Sequence, residues 1–378
     1  MILKNFKRVF GKNYYPLNKI TVSKTALVNN YKVLQSFAPE IQLAPVLKSN
    51  AYGHGLVLTA KIADQLGAPM LCVDSIYEAY ELLKAKIKTP ILIMGYINPQ
   101  NLKVKKLPFS YAVFDISQLE VINKHQKGAE VHLKVDTGMH RLGIPMDELY
   151  QFVEKAKELK NVNITGLMSH IATPEEPKGV QTKGQIANFR KAIQVVESAG
   201  INLKWKHLAA SEGVVRLGSG ISKITNMARV GNSFYGMDLT GYVPDLKPAL
   251  RLTSQIVQLK PLVKGDKVGY SGTFTAQKDV KLALLPIGYF DGIDRRLSNK
   301  GIVTVRGHAC PIVGIVSMNI TTIDVTGVKN VRVGDEVVIY SDDRNGPNSA
   351  QSAAEICKTR ASELLVHLSP ISIRREVV

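Results

Sequence analysis

The hydrophobic pattern divides the chain into two parts. Between residues 20 and 230, short apolar runs typical of β-strands alternate with segments whose apolar residues recur at helical spacing. The predicted strands are 43–47, 70–73, 90–94, 112–114, 131–135, 164–168, 203–208 and 227–230. The predicted helices include 23–37, 76–85, 118–125, 147–159 and 185–199. Strands that alternate regularly with helices predict a (β/α)8 barrel rather than an open doubly wound sheet.

The pattern changes after about Gly241, where turn residues become frequent and long helical periods nearly vanish. Alternating segments take over at 252–259, 280–286, 302–305, 312–316, 322–325 and 337–340, and they predict a mostly-β domain. We therefore predict an α/β protein with three parts. An N-terminal strand within residues 1–16 packs on the β domain, residues 17–241 form the barrel, and residues 242–378 form the C-terminal β domain.

Composition narrows the functional class. The chain has 378 residues and 3 cysteines without a C-x-x-C pair, which argues against a disulfide framework and a zinc site. No run approaches the ~18 apolar residues of a membrane span, and the N-terminus lacks the apolar core of a signal peptide. We expect a cytoplasmic protein that binds no membrane and no metal. The net charge is +18, but the lysines are scattered without interleaved aromatics, which disfavours nucleic-acid binding.

The segment 45–55 (PVLKSNAYGHG) places a lysine at the end of a buried strand and before a glycine-containing turn. In a parallel barrel, side chains at the carboxyl ends of strands meet the substrate. Lys48 loses hydration among apolar neighbours there, which suits a Schiff-base nucleophile. A surface lysine at a strand end is the alternative interpretation of this residue alone.

Three further strand ends carry polar side chains. Arg141 follows the strand at 131–135 and can clamp a carboxylate, although a structural ion pair is equally compatible with it. His170 ends the next strand and is a candidate catalytic group or a structural histidine. Ser211 lies at a predicted barrel rim, where its hydroxyl can donate to a phosphate.

The segment 228–236 (ARVGNSFYG) has the character of a phosphate-binding end of a barrel. The backbone amides of Gly231 and Asn232 can point at an anion because no side chain obstructs the glycine. In the predicted β domain, Tyr270 lies on a glycine-rich turn (VGYSGTF, 268–274), where a structural tyrosine is the default interpretation.

Taken in order, these segments closely resemble the motifs of alanine racemases, and the resemblance extends from about residue 20 to residue 375. The motifs are the lysine segment 45–55, DTGMHRLG at 136–143, GLMSH at 166–170, ARVGNSFYG at 228–236 and VGYSGTF at 268–274. The resemblance implies a fold-type III racemase that uses pyridoxal 5'-phosphate. It interconverts L- and D-alanine and supplies D-alanine for peptidoglycan.

The family pattern also implies roles for individual residues. Lys48 and Tyr270 act as the two bases, and Tyr270 comes from the partner subunit of a homodimer. Arg141 and the Met318 amide hold the substrate carboxylate. The implied cofactor-binding residues are Lys48, Tyr52, Arg141, His170, Ser211, Arg229, Gly231 and Asn232. Arg229 faces the pyridine nitrogen, and Lys134 occupies a position that is carbamylated in some members.

Four positions depart from the family pattern: Ser49, Ala210, Asn319 and Ser362 replace the usual Ala, Asn, Asp and gate-forming Tyr. At Ser362, either the entrance admits side chains larger than methyl, or Arg360 fills the gap and binds phosphate. The alternative functions are therefore a broader racemase for serine, lysine or arginine, a decarboxylase of the same barrel type, and a non-catalytic pyridoxal-phosphate carrier.

Overall fold

The computed structural model describes residues 15–237 and 243–378. The described strands are β1 Lys19–Val22, β2 Gln42–Pro45, β3 Leu71–Val73, β4 Ile91–Ile93, β5 Ser110–Val113, β6 Ala129–Asp136, β7 Ile144–Pro145, β8 Val162–Met168, β9 Trp205–His207, β10 Met227–Val230, β11 Leu250–Gln255, β12 Gln258–Leu262, β13 Lys267–Val268, β14 Phe274–Thr275, β15 Val280–Leu285, β16 Ile302–Val305, β17 His308–Pro311, β18 Thr321–Asp324, β19 Glu336–Tyr340 and β20 Arg374–Val377. The described helices are α1 Lys24–Phe37, α2 Lys48–Tyr52, α3 Leu56–Ala63, α4 Ile76–Lys84, α5 Pro99–Leu102, α6 Ile116–His125, α7 Leu149–Lys157, α8 Val180–Ser198, α9 Ser211–Leu217, α10 Ala350–Cys357 and α11 Ala361–Val366.

The chain folds as two compact units. The first comprises Lys24–Ala249, and the second combines the segment that ends at Ser23 with Leu250–Val378. Among the helices in the described ranges, none is long and apolar enough to cross a membrane.

The first unit is a barrel of parallel strands. The order β3-β4-β5-β6-β8-β9 forms one sheet, to which β7 adds beside β6, and β10 pairs with β2. Two isolated parallel bridges, Val46 with Cys72 and Ala210 with Arg229, connect these sheets into a ring. The predicted barrel is confirmed, and its strands β3, β4 and β5 are buried at every position, as expected where helices cover a parallel sheet.

Buried polar contacts fasten the first helix to the end of the barrel unit. Asn30 of α1 is fully buried and donates to the carbonyls of Phe234 (3.1 Å) and Lys247 (2.8 Å). Its side-chain oxygen accepts the Lys247 amide at 2.8 Å. Since buried polar groups must be paired, this asparagine holds the segment after β10 against α1.

The second unit is mostly β, as predicted. A six-stranded sheet has the order β17-β16-β19-β11-β1-β20, and a three-stranded sheet has the order β12-β15-β18. The hairpin of β13 and β14 is separate from these sheets, and the helices α10 and α11 precede the last strand.

The compact units in the structure differ from the predicted domains at one boundary each. Residues 19–22, which we placed in the barrel, form β1 and pair with β11 and β20, so their backbone hydrogen bonds belong to the β unit. The compact barrel unit extends to Ala249 rather than residue 241. Residues 1–14 of the predicted N-terminal strand lie outside the described residues.

One predicted strand is wrong. Residues 308–311 form β17, whereas of the predicted strand 312–316 only Ile312 makes an isolated bridge, to Ile323. Gly314 has a φ of +76° and breaks the extended backbone there.

Replacement of Asn30 by alanine should destabilise the barrel unit. The change leaves the Phe234 and Lys247 groups without their buried partner, so we expect the free energy of unfolding to fall by about 2–3 kcal/mol. Asn29→Ala is the matched control: it removes an exposed bond to the Asp245 carbonyl and a long one, 3.4 Å, to Asn30 Oδ1, and it should cost less than about 1 kcal/mol. Urea unfolding measures both, and equal losses would contradict this role of Asn30.

Candidate active site

A strained turn presents the lysine at the rim of the barrel. Lys48 lies partly buried just beyond β2, where the Val46 amide donates to the Val230 carbonyl and the Leu47 amide donates to the Cys72 carbonyl. The four residues from Ser49 to Tyr52 all have φ between +52° and +56°. Left-handed backbone costs L-residues about 1–2 kcal/mol each, so other contacts must stabilise this turn.

Glu78 at the start of α4 supplies such a contact. Its carboxylate accepts the backbone amides of Ser49 (2.6 Å), Asp74 (2.9 Å) and Ser75 (3.3 Å). The Asn50 side chain accepts the Leu56 amide at 2.9 Å and ties the other end of the turn to α3. Lys48 and Tyr52 are thereby fixed at the start and end of one left-handed turn.

Arg229 at the end of β10 is 3% exposed, and its donors are almost all used within the barrel. NH1 contacts His207 Nδ1 at 2.7 Å and donates to the His207 carbonyl at 2.9 Å. NH2 donates to the Ser169 carbonyl at 2.6 Å and contacts His170 Nδ1 at 3.2 Å. Nε has no hydrogen-bond partner among the described residues, so it is the donor left for a ligand.

The histidines around Arg229 are neutral. A guanidinium only donates, so the Nδ1 atoms of His207 and His170 must accept, and neither ring can be doubly protonated. Burial, followed by the charge of Arg229, lowers the pKa of His132 and of His170 to about 3 and that of His207 well below its usual value. Burial also lowers the pKa of Arg229 to about 10, which leaves it a cation at neutral pH.

Arg141 projects from a turn that Asp136 organises. The Asp136 carboxylate accepts the amides of Gly138 (2.9 Å), Met139 (2.9 Å) and His140 (3.1 Å) directly after β6. A Cβ at Gly143 would lie 2.5 Å from the Asp136 amide nitrogen, so the turn requires glycine there. Arg141 is exposed on this turn.

Positively charged side chains at the barrel rim lower the pKa of the neighbouring Lys134. Burial, and then the charges of Arg229, Arg141 and Lys48, lower the pKa of Lys134 to about 8, while Asp74 opposes them. Lys134 also lies 5.8 Å from the centre of the Phe114 ring. An electropositive site of this kind favours ligands with phosphate and carboxylate groups.

Ser211, Gly231 and Asn232, the predicted anion-binding residues, lie together, but the predicted role of the Gly231 amide needs a correction. The Gly231 amide does not point at open space, because it donates to Ser211 Oγ at 2.9 Å. The Ser211 hydroxyl hydrogen and the Asn232 amide have no partner within the described ranges, and Asn232 Oδ1 is buried without one. A Cβ at Gly231 would lie 2.6 Å from the Tyr52 hydroxyl, so the bare glycine makes room for it.

Tyr52 packs beside these anion-binding groups, and its hydroxyl is neutral. Its ring lies 5.0 Å from that of Tyr235, whose hydroxyl donates to the Val46 carbonyl at 2.9 Å. Burial raises the pKa of Tyr52 to about 12, so the hydroxyl keeps its proton at neutral pH.

Two residues to which the sequence assigned roles, Tyr270 and Met318, lie in the β unit. Tyr270 begins a short turn after β13 and is 70% exposed. A Cβ on the preceding Gly269 would lie 3.8 Å from the Ile315 amide nitrogen, so this turn is next to the segment leading to Met318. The Met318 amide has no hydrogen-bond acceptor among the described residues, and Gly288 packs so closely that a Cβ would lie 2.5 Å from the Met318 carbonyl oxygen.

Ser362 lies in α11, and Arg360 is the exposed residue before that helix. The neighbouring Glu363 is bound to Arg296 at 3.0 Å. Both hypotheses for Ser362, a wider entrance or a phosphate contact from Arg360, stay predictions.

The structure brings Lys48, Tyr52, His170, Ser211 and Arg229 to one rim of the barrel. Three important residues were missed from the sequence: Glu78, His132 and His207. The two histidines are fully buried within strands (VHLKVD and WKH), and a histidine inside a predicted barrel strand was the available signal.

The three neutral histidines should make the folded protein sensitive to acid. Each has a lowered pKa when folded and an ordinary pKa near 6.5 when unfolded, so below about pH 6 the unfolded chain binds more protons. Each should then remove about 1.4 kcal/mol of unfolding free energy per pH unit, an effect that is absent above about pH 7. Urea unfolding from pH 7 to 5 measures the slope.

Histidine variants test the origin of that slope. His132→Asn should reduce it by about 1.4 kcal/mol per pH unit, whereas His308→Asn, at an exposed position, should leave it unchanged. An unchanged slope for His132→Asn would show that this ring is not buried in its neutral form.

Comparison with known proteins shows the family to which this sequence is related. Residues 22–238 match the family described as alanine racemase, N-terminal domain, and residues 249–376 match alanine racemase, C-terminal domain. The alanine racemase of Sorangium cellulosum is 36% identical, over 92% of this chain and 96% of its own length. That of Methanococcus maripaludis is 34% identical, over 85% and 88%.

Solved structures show the same likeness. The alanine racemase of E. faecalis has a TM-score of 0.86 at 30% identity, and the match covers 97% of this chain and 99% of that one. The Bacillus anthracis enzyme, solved with bound L-Ala-P, has a TM-score of 0.88 at 29% identity, with coverages of 97% and 96%. With both domain profiles matched in order, the chain belongs to the alanine racemase family.

Proposed function

We propose that this enzyme interconverts L- and D-alanine with pyridoxal 5'-phosphate, and that Lys48 and Tyr270 are its two bases. The observation that carries the proposal is the arrangement at the barrel rim. A lysine fixed by a strained turn lies in the same unit as a buried arginine whose Nε has no partner among residues 15–237 and 243–378. The family relationship supports the same reaction.

The residues present fit the cofactor. The hydroxyls of Tyr52 and Ser211 and the amide of Asn232 would hold the phosphate, beside the bare Gly231. Arg229 Nε–H would donate to the pyridine nitrogen, and Lys48 would hold the cofactor covalently. When bound, the cofactor withdraws electrons from the Cα of the attached amino acid and so makes its proton more acidic.

The chain's own groups then move that proton. Racemisation needs one base on each face of Cα, so the Lys48 amine would exchange the proton on one face and the Tyr270 phenol on the other. Arg141 and the Met318 amide would bind the substrate carboxylate. His170, whose Nδ1 is occupied by Arg229, has Nε2–H available to orient the phenol.

Arg229 also limits side reactions. An arginine keeps its proton at neutral pH, so Arg229 would offer the pyridine nitrogen a hydrogen bond without protonating it. The cofactor would then be a weaker electron acceptor, which would favour return of the proton to Cα over side reactions.

We further propose a homodimer in which each active site uses Lys48 of one subunit and Tyr270 of the other. Two features support it: the bases lie in different compact units, and Tyr270 is largely exposed in the single chain.

Provision of D-alanine for peptidoglycan, a cytoplasmic location and carbamylation of Lys134 complete the proposal. The lowered pKa of Lys134, about 8, supports the last, because carbamylation requires an uncharged amine.

Mixing two inactive variants tests the shared active site. Lys48→Ala and Tyr270→Phe should each lose most racemase activity, measured by a chiral assay with L-alanine, and Tyr270→Phe should still bind the cofactor. After the two are dissociated and reassociated together, heterodimers contain one complete site, so about one quarter of the wild-type activity should return.

Each variant reassociated with itself is the control and should stay inactive. If the mixture also stays inactive while heterodimers form, the two bases come from the same chain. If Tyr270→Phe racemises normally, the two-base assignment is wrong.

A further inference from the structure

His132 contacts the histidine that binds Arg229, and it lies outside the proposed cofactor contacts. It is fully buried in β6, and its Nδ1 lies 2.8 Å from His207 Nε2. The strand register places it opposite Gly166 of β8. A Cβ at Gly166 would lie 2.4 Å from His132 Cγ, so the imidazole occupies space that any other residue at 166 would fill.

The donors and acceptors along this row can be assigned in one direction only. Arg229 NH1 must donate, so His207 Nδ1 accepts and the hydrogen of the neutral His207 ring is on Nε2. His207 Nε2–H then donates to His132 Nδ1. His132 accordingly carries its hydrogen on Nε2, which is buried without a partner in the part of the chain that the structure describes.

We propose that His132 is a positioning residue for the reaction: it accepts from His207 and thereby fixes the His207 tautomer that orients Arg229. In the opposite tautomer, His207 Nδ1–H would point at Arg229 NH1, and two donors would face each other 2.7 Å apart. The guanidinium would have to turn away, and its Nε would no longer face the ligand. Gly166 is part of the same arrangement because, without a side chain, it leaves room for the His132 ring.

The effect of His132 on the contact between Arg229 and the pyridine nitrogen rests on the proposed function. The tautomers of His207 and His132 can be tested without the cofactor. The first test therefore uses wild-type protein without cofactor and labelled with ¹⁵N-histidine. NMR at pH 7 should show His207 and His132 both neutral and both protonated on Nε2. His207 protonated on Nδ1, or either ring present as imidazolium, would overturn the proposal, and this result needs no variant to fold.

The second test compares His132→Leu with His132→Asn. Leucine has no acceptor, whereas the Oδ1 of asparagine takes the place of Nδ1. His132→Leu should change the His207 tautomer and weaken binding of pyridoxal 5'-phosphate about 10-fold, because a buried donor loses its partner. His132→Asn should restore the tautomer and bring affinity within about 3-fold of wild type. Equal behaviour of the two variants would overturn the proposal.

Gly166→Ala provides a third variant that leaves the imidazole in the chain but displaces it. It should resemble His132→Leu in the His207 tautomer and in cofactor affinity, and a wild-type tautomer in this variant would count against the role of the glycine. A wild-type protein that binds no pyridoxal 5'-phosphate would refute the proposed function and leave the tautomer assignment intact.

Discussion

The proposed active site depends on the buried cation of Arg229, whose N–H groups almost all donate hydrogen bonds within the barrel. Arg229 is surrounded by backbone carbonyls and neutral imidazoles, with no carboxylate against it in the described ranges. An aspartate there would accept a hydrogen bond from a protonated ring nitrogen of the proposed cofactor and so stabilise it, whereas Arg229 would offer that nitrogen only a hydrogen bond from Nε. The desolvation of the guanidinium is offset by charge–dipole contacts, and the remaining positive field attracts an anionic ligand.

A second constraint acts on the turn that follows Lys48. The left-handed turn from Ser49 to Tyr52 costs roughly 4–8 kcal/mol of backbone strain by the usual penalty per residue. Glu78 and Asn50 stabilise it through hydrogen bonds to backbone amides, and the hydroxyl of Tyr52 reaches the bare Gly231. Strain held in this way makes the positions of Lys48 and Tyr52 rigid before any ligand binds.

Local pattern was enough to predict the barrel, whereas the roles proposed for Lys48 and Arg229 also needed the resemblance to the family. β10 has the predicted bounds 227–230 because it is a short strand buried at every position and so appears as a continuous apolar run around Arg229. The helix predicted at 76–85 ends one residue earlier, at Lys84, because burial on one face leaves a helical period that the sequence shows directly. The left-handed turn was not predictable, since Ser, Ala and Tyr rarely adopt positive φ and the tolerance of a single Asn for it does not predict four such residues in a row. The pairing of β1 with β11 and β20 spans most of the chain, so no local signal assigned residues 19–22 to the β unit.

The protonation state of the ring nitrogen in bound pyridoxal 5'-phosphate tests this account most directly. With ¹⁵N-labelled cofactor in the wild-type enzyme, NMR at neutral pH should show an unprotonated nitrogen that accepts a hydrogen bond, as a permanently charged Arg229 requires. A protonated pyridinium would contradict the central claim, because it would mean that Arg229 does not supply the contact to the ring.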